Sequence, residues 1–291
     1  FHGGNGMPLR IFNNLSSVIA QNRLDVNNRN LGEVISRIAS GDRLFGTKAN
    51  AAEKATSELL NSDTRTLRQA SKNLNDGISL INVAESGLNE QSGILIRLRE
   101  ILTIAGGAIG QNERDTLQLE INTLRDEFNR IANSTEFNGQ KLLDGSLAVS
   151  IATDQHVVIT VGLDSSASSQ IDINSAVNLS STATAALGLD AVSATSFDDA
   201  ADSLSIVEAA LDTISGFRAS IGATQNRFTR ALNTLNVSIE NLTAAFSAIK
   251  DADIAEELDD LTKQQLLVQS SSAMVGQANL VPEGVLLLLQ Q

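Results

Sequence analysis

The stretch LNDGISLINVAESGLNEQSGILIRLREILTIA, residues 74–105, carries Leu74, Ile81, Leu88, Leu95 and Leu102 at intervals of seven. Gly77, Ala84, Gln91, Leu98 and Ala105 hold the companion positions, three residues further on. A seven-residue repeat with apolar or small residues at both core positions predicts a helix that presents a coiled-coil-like seam. Gly106, Gly107 and Gly110 end it. Leu117, Ile121, Leu124, Phe128 and Ile131 then alternate steps of four and three, which predicts a second helix folding back antiparallel across the Gly-rich turn.

Working outward, the second half of the chain shows the same period from Phe197 to Ile249, through Leu211, Ile221, Phe228, Leu235 and Leu242 among others. A helix of some 50 residues is roughly 75 Å long. It needs an equally long partner, and the row from Leu74 to Leu102 is the one available, so the two are expected to form a rod core. The expected contact brings Leu235 or a neighbour in its stripe onto the leucine row, to be located by scanning Leu88 and Leu95 against Leu232, Leu235 and Ile239. Arg218, Gln225 and Gln91 interrupt the seam and are expected to set register.

Both ends of the chain are amphipathic. Leu15, Val18, Ile19, Leu24, Leu31, Val34, Ile35 and Ile38 fall on one side of a helix, and Ser40-Gly41 breaks it. Ile254, Leu258, Leu261, Val268 and Val275 repeat the pattern as far as Pro282. Neither end is long enough to be stable alone, so each requires the other or a neighbouring molecule. The residues expected to make that interface are Leu15, Val18, Leu24, Leu31, Ile38, Ile254, Leu258, Leu261 and Val268. Met7-Pro8 reads as a natural start, which leaves residues 1–6 as an extension or tag.

In the middle the period changes after Asn138-Gly139. Leu147 to Ile151 and Val157 to Val161, separated by Thr153-Asp154-Gln155, predict a β-hairpin of branched residues, with Gln170 to Ile173 as a further strand. Residues 165–196 are rich in Ser, Thr and Ala and read as a thin, variable surface region. The fold class is therefore mainly α: a discontinuous antiparallel helical bundle or coiled-coil rod built from both chain halves, with a short β-hairpin region between them.

Composition narrows the function. Aromatic residues make up 3% of the chain, with no Trp and no Tyr, against 42% hydrophobic residues overall. Aliphatic side chains of that kind suit helix-on-helix packing. The absence of cysteine excludes disulfides and thiolate metal sites. A net charge of −13 argues against nucleic acid, which needs a basic surface. No apolar run approaches the roughly 20 residues of a membrane span, and Asn13, Asn14, Ser16 and Ser17 interrupt anything that could read as a cleavable leader.

Catalytic chemistry finds little support. His2 and His156 are the two histidines, without a His-Glu-x-x-His pattern, and a solitary His is better read as a structural polar group than as a zinc ligand. Asp251, Asp253, Glu256, Glu257, Asp259 and Asp260 lack calcium-loop spacing and read as a solvated helix start, where carboxylates favour the positive end of the dipole. No catalytic residue, metal or cofactor is expected. Asn-x-Ser/Thr matches at Asn14, Asn133, Asn178, Asn236 and Asn241 are read as chance.

Several motifs resemble bacterial flagellin. Met7-Pro8-Leu9-Arg10-Ile11 with Asn13 to Ser17 is similar to the family's start, and Ala39 to Leu44 to its Ser-Ser-Gly-x-Arg-Ile turn. Asn75 to Leu80 with Ala84 to Leu88, and Glu136 to Gly145, resemble specific signatures of its N-terminal half. Arg218 to Ala223 with Asn226-Arg227-Phe228, Ile249 to Glu257, and Gln277-Ala278-Asn279 follow in the family's order. Each match is weak alone; their order along the chain makes them specific.

The resemblance implies an inner, filament-core domain from 7–50 plus 251–291 and a helical rod domain from 51–146 plus 197–250. It leaves only 147–196 as hairpin and variable surface, a minimal type without large outer domains. It implies a homopolymeric, extracellular filament for motility, partnered by the export apparatus, a secretion chaperone, the filament cap and hook-junction proteins. Ile96 to Ile101 aligns with the segment sensed by an innate-immune flagellin receptor, with Arg97 and Glu100 matching. Ser and Thr of 165–196 become the candidates for the O-linked sugars many flagellins carry. A hook-filament junction protein, which shares the terminal pattern but forms a single adaptor layer, is the alternative.

Overall fold

A computed structural model describes residues 14–46, 50–164 and 166–289, with side-chain surroundings through Leu280. The expectations for residues 1–13, including the extension, His2 and the Met7 start, lie outside the described residues. Two compact units emerge, one from residues 1–62 with 242–291 and the other from 63–241.

In the first unit the main elements are α1 (Leu15–Ser40) and α6 (Ile254–Leu289). Asn14 caps α1 by accepting the Ser17 amide at 3.2 Å, and Gly41 ends it at φ 67°, a left-handed position suited to glycine. Asp253 caps α6 through the Ala255 amide at 2.8 Å, and Glu256 and Glu257 lie in its first turn. The two helices run antiparallel. Asn14 Nδ2 donates to Ala278 O at 2.8 Å, Asn27 Nδ2 to Ser271 Oγ at 2.6 Å, and Arg37 makes two hydrogen bonds to Glu257 at 2.7 and 2.8 Å.

The connector after α1 is tied to the end of α5 (Phe197–Lys250). Arg43 N donates to Lys250 O at 2.8 Å and Ala252 N to Gly41 O at 3.0 Å. The Arg43 side chain donates to Ile249 O at 2.8 Å, satisfying a terminal carbonyl where the helix dipole favours a cation.

The second unit is built on α2 (Ala51–Ala105), α3 (Gln111–Ser134) and the larger part of α5. Leu74, Ile81, Leu88, Leu95, Leu98 and Leu102 are all buried on α2, as are Ile121 and Phe128 on α3 and Ile214, Ile221 and Phe228 on α5. The turn between α2 and α3 is fastened by Arg114, whose guanidinium donates to Ala105 O and, at 3.0 Å, to Gly107 O. Gly110 N donates to Glu113 at 2.9 Å, covering an orphan amide at the start of α3.

Helices α2 and α5 run antiparallel in a register that brings neighbours of Leu235 in its stripe onto the start of the seam, at Gly77, but not onto Leu88 and Leu95. Asn82 meets Gln225 at 2.9 Å, Glu85 meets Arg218 at 2.9 Å, and Arg99 meets Glu208 at 3.3 Å. Gly77 faces Phe228. This register sets Leu88 level with the turn before Arg218 and carries Leu235 past Leu74, away from Leu88 and Leu95. Leucines repeating every seven residues fit one another at many offsets, so the polar pairs and the glycine decide among them.

The middle of the chain also corrects an expectation. Leu147 to Ile151 is not a strand paired with Val157 to Val161. Instead β3 (Val158–Thr160) pairs antiparallel with β4 (Gln170–Asp172), and Leu147 makes an isolated bridge with Leu179. The reason lies in backbone satisfaction. Thr153 to Gln155 form a 3-10 turn, and buried Asn174 donates to Ser146 O and Ala148 O at 3.1 Å while accepting Val157 N at 2.9 Å. One side chain thus replaces the ladder that the hairpin would have supplied. The strand expected from Gln170 is β4. A second small hairpin, β1 (Glu136–Phe137) and β2 (Gln140–Lys141), turns at Asn138-Gly139 with φ 51° and 80°, the signature of a two-residue turn with both φ positive.

Strand β3 seats on α2 at Gly77. A Cβ there would collide with Ile159 Cδ1 and lie 3.2 Å from Phe228 Cε2. Gly77→Ala should therefore cost about 1–3 kcal/mol of overpacking, offset by about 1 kcal/mol of helix propensity. Ile159→Val removes the colliding methyl and should cost about 0.5–1.5 kcal/mol alone. The double variant is expected to be less destabilised than the sum of the two, measured by thermal unfolding. Strict additivity would show that β3 does not rest on this glycine.

Candidate functional site

The surface with unmet packing lies on α1 and α6. Of the 26 residues of α1, only Ser17 and Val34 are buried. Leu24, Leu31, Ile38, Leu261 and Val268 are half-buried. Interpolating between the Arg37–Glu257 and Asn27–Leu267 contacts places Leu261 near the level of Val34. Leu15, Val18, Ile254 and Leu258 are exposed, at 66%, 52%, 46% and 48%. The residues read from the sequence as one interface thus divide into a half-buried set and an outward-facing set.

Further outward positions escaped the sequence reading. Val26, Leu266, Met274 and Leu280 are exposed apolar side chains, as are Ile19 and Ile35 from the α1 stripe. A single stripe per helix was expected, whereas each helix carries apolar residues on more than one face. The signal was available in the 266–267 Leu-Leu pair, since adjacent residues lie about 100° apart and cannot both face one partner.

The polar side of this unit is fixed by one strong pair. Arg37 and Glu257 are 22% and 10% exposed at the side chain, joined in bidentate geometry. The hydrogen bonds to Glu257 raise the Arg37 pKa above its ordinary range against the opposing effect of burial, helped by the charges of Glu257, Asp260 and Glu33. Within the acidic cluster, Glu257 is engaged by this pair, Asp253 caps α6 and Asp260 lies 3.8 Å from Lys263. Among the described residues no group of three or more His, Cys, Asp or Glu is placed to hold a metal ion, and no described helix is long and apolar enough to cross a membrane.

In the second unit, Leu74, Ile81, Leu88, Leu95, Leu102, Ile221, Phe228 and Leu235 are buried. Leu211, and Leu242 of the first unit, are only half-buried. Arg97 and Glu100 are exposed and engaged with each other at 3.0 Å, and Arg97 also reaches Glu120 at 2.9 Å.

A chain whose two ends pair as a helical hairpin with almost no closed core, leaving apolar rows open on both helices, is built as a polymerising structural subunit. The chain belongs to the bacterial flagellin family: residues 11–148 match the bacterial flagellin N-terminal helical region and 204–289 the C-terminal helical region. It is 39% identical to a flagellin of Bacillus subtilis (strain 168), over 97% of this chain and 100% of that one. It is 36% identical to the flagellar filament 30.7 kDa core protein of Treponema maltophilum, over 96% of this chain and 99% of that one. A solved structure described as a flagellar hook-associated protein from Vibrio parahaemolyticus shares the fold at a TM-score of 0.57 with 15% identity, covering 70% of this chain and 100% of that one.

Proposed function

We propose that the chain is the structural subunit of an extracellular flagellar filament, which it builds by self-assembly for motility. The observation that supports this reading most is the α1–α6 hairpin, which pairs its polar groups internally and leaves Leu15, Val18, Ile254 and Leu258 open. Each leucine-sized side chain buried against a neighbour contributes about 1.5–3 kcal/mol. Repeated on every subunit, that is enough to drive a polymer. Folding of the ends is coupled to assembly in degree: the α1–α6 pair forms within one chain through its polar contacts but buries little, and neighbouring subunits supply the burial that consolidates it.

On this reading 7–50 with 251–291 form the inner domain, 51–146 with 197–250 the rod, and 147–196 the outer surface. The export apparatus, a secretion chaperone, the cap and the hook-junction proteins are its partners in assembly. Arg97 and Glu100, exposed on α2, are the residues offered to an innate-immune receptor. The junction-protein alternative rests on a likeness of fold at 15% identity, whereas relatives at 39% and 36% are a flagellin and a filament core protein.

Salt-induced assembly of the purified chain, viewed by negative stain, is the test. Long filaments with many subunits in one helical lattice are expected. Short caps or rings of fixed size would favour the junction protein, and persistent monomers would remove the assembly reading.

A further inference from the structure

The open apolar residues of α1 and α6 fall into two patches once each is placed relative to the row that faces the partner helix. Val26, Leu267 and Met274 each directly precede a residue turned to the other helix: Asn27, which bonds Ser271, and half-buried Val268 and Val275. Ile35 and Leu258 each directly follow one: buried Val34, and Glu257 in its pair with Arg37. One residue turns a side chain about 100° round a helix, and in an antiparallel pair offsets of the same sense lie on the same side. Val26, Leu267 and Met274, with Ile19 two turns back from Val26, therefore share one side of the hairpin. Ile35 and Leu258, with Ile254 one turn from Leu258, share the other.

Each patch is continuous across both helices. The Asn27–Leu267 and Arg37–Glu257 contacts set Val26 beside Leu267, Ile19 level with Met274, and Ile35 level with Leu258. All seven side chains are exposed. Sixteen residues separate Ile19 from Ile35 and Leu258 from Met274, so the patches stand about 24 Å apart along the hairpin.

Their surroundings differ in charge. Beside the first patch α1 carries exposed Arg23 and Arg29 against Asp25, and residues 264–280 of α6 carry no charged side chain. Around the second, Asp251, Asp253, Glu256, Asp259 and Asp260 outnumber the bases. Two copies joined through their second patches would bring acidic ends together, whereas first against second sets Arg23 and Arg29 towards carboxylates.

We propose that the patches are the two halves of one head-to-tail contact, in which the first patch of each copy seats on the second patch of the next. This rests on the filament reading and supplies what that reading leaves open, namely which surfaces meet. A contact between two different patches does not close on itself. Each copy is shifted about 24 Å along the hairpin from its neighbour, and its unused patch receives the following copy, so growth continues as an open row.

The chain has no cysteine, so introduced thiols are the sole ones. Full-length chains carrying Met274→Cys with Leu258→Cys are assembled, collected by sedimentation and treated with a short bismaleimide. Ile19→Cys with Ile35→Cys is an independent pair on α1, so that one variant that fails to fold leaves the other. Each pair is expected to give a ladder of dimers, trimers and longer species on a denaturing gel, and each single-cysteine chain only monomer. Ser175→Cys with Leu258→Cys, Ser175 being exposed on α4 (Ile173–Val177) of the other unit, is the control and should give no ladder. Dimers from a single-cysteine chain would mean that like patches meet and would overturn the proposal. Polymer that gives no ladder from either pair, or a ladder from the control, would do the same. An unaltered chain that never sediments would instead remove the filament reading itself.

Discussion

Leu258→Asp is expected to abolish polymerisation while leaving the α1–α6 pairing in place, whereas Leu261→Asp and Leu31→Asp are expected to lose both. The difference follows from where the side chains sit. Leu258 is 48% exposed, so a carboxylate there stays solvated until a neighbouring subunit covers it. Covering it forfeits the apolar contribution of about 1.5–3 kcal/mol and adds the cost of an unpaired buried charge. A combined loss of 3 kcal/mol or more corresponds to a rise of over about 100-fold in the concentration needed for assembly. Leu261 and Leu31 are half-buried, so Asp there disturbs the hairpin as well. Sedimentation and negative stain read the polymer, and protease trimming of the ends reads the hairpin. Normal filaments from Leu258→Asp would show that the open row faces solvent in the assembled state. Polymer loss from Leu258→Asp accompanied by an unravelled hairpin would place it in the intramolecular contact instead.

Much of this architecture was legible because burial imposes a period. The row from Leu74 to Leu102 could be assigned to a helix seam from spacing alone, and each of its five members is buried. Register was not legible, since a seven-residue repeat is degenerate under sliding and the choice rests on Glu85 with Arg218, Asn82 with Gln225, and the absent side chain of Gly77. The central segment misled for a different reason. Its branched residues have strand propensity, but propensity cannot report that Asn174 and His156 take over the hydrogen bonds a strand would need. On α1 and α6 the sequence showed amphipathicity and not which face each partner would take. A two-helix pair consumes one narrow stripe, and the rest of the apolar surface becomes visible only once that stripe is assigned.

The register of α2 against α5 leads to the second large effect. Phe228 is fully buried and lies against the notch left by Gly77. Phe228→Ala removes a ring from a site closed by two helices and a strand, where surrounding groups cannot collapse inward without unseating Ile159. A loss of about 3–5 kcal/mol is expected, the upper range for such truncations. Chemical denaturation of the full chain measures it, followed through the protection of α2 amides within 63–105. Register itself is tested by double-mutant cycles. Ile81→Ala with Phe228→Ala, close in the observed pairing, should couple by about 0.5–3 kcal/mol, while Leu88→Ala with Leu235→Ala should be additive within about 0.5 kcal/mol. The reverse pattern would restore the register expected from the leucine stripes alone and displace Glu85 from Arg218. Coupling at neither pair would mean that the two seams do not share a core, and the burial of Phe228 would then have to come from β3 alone.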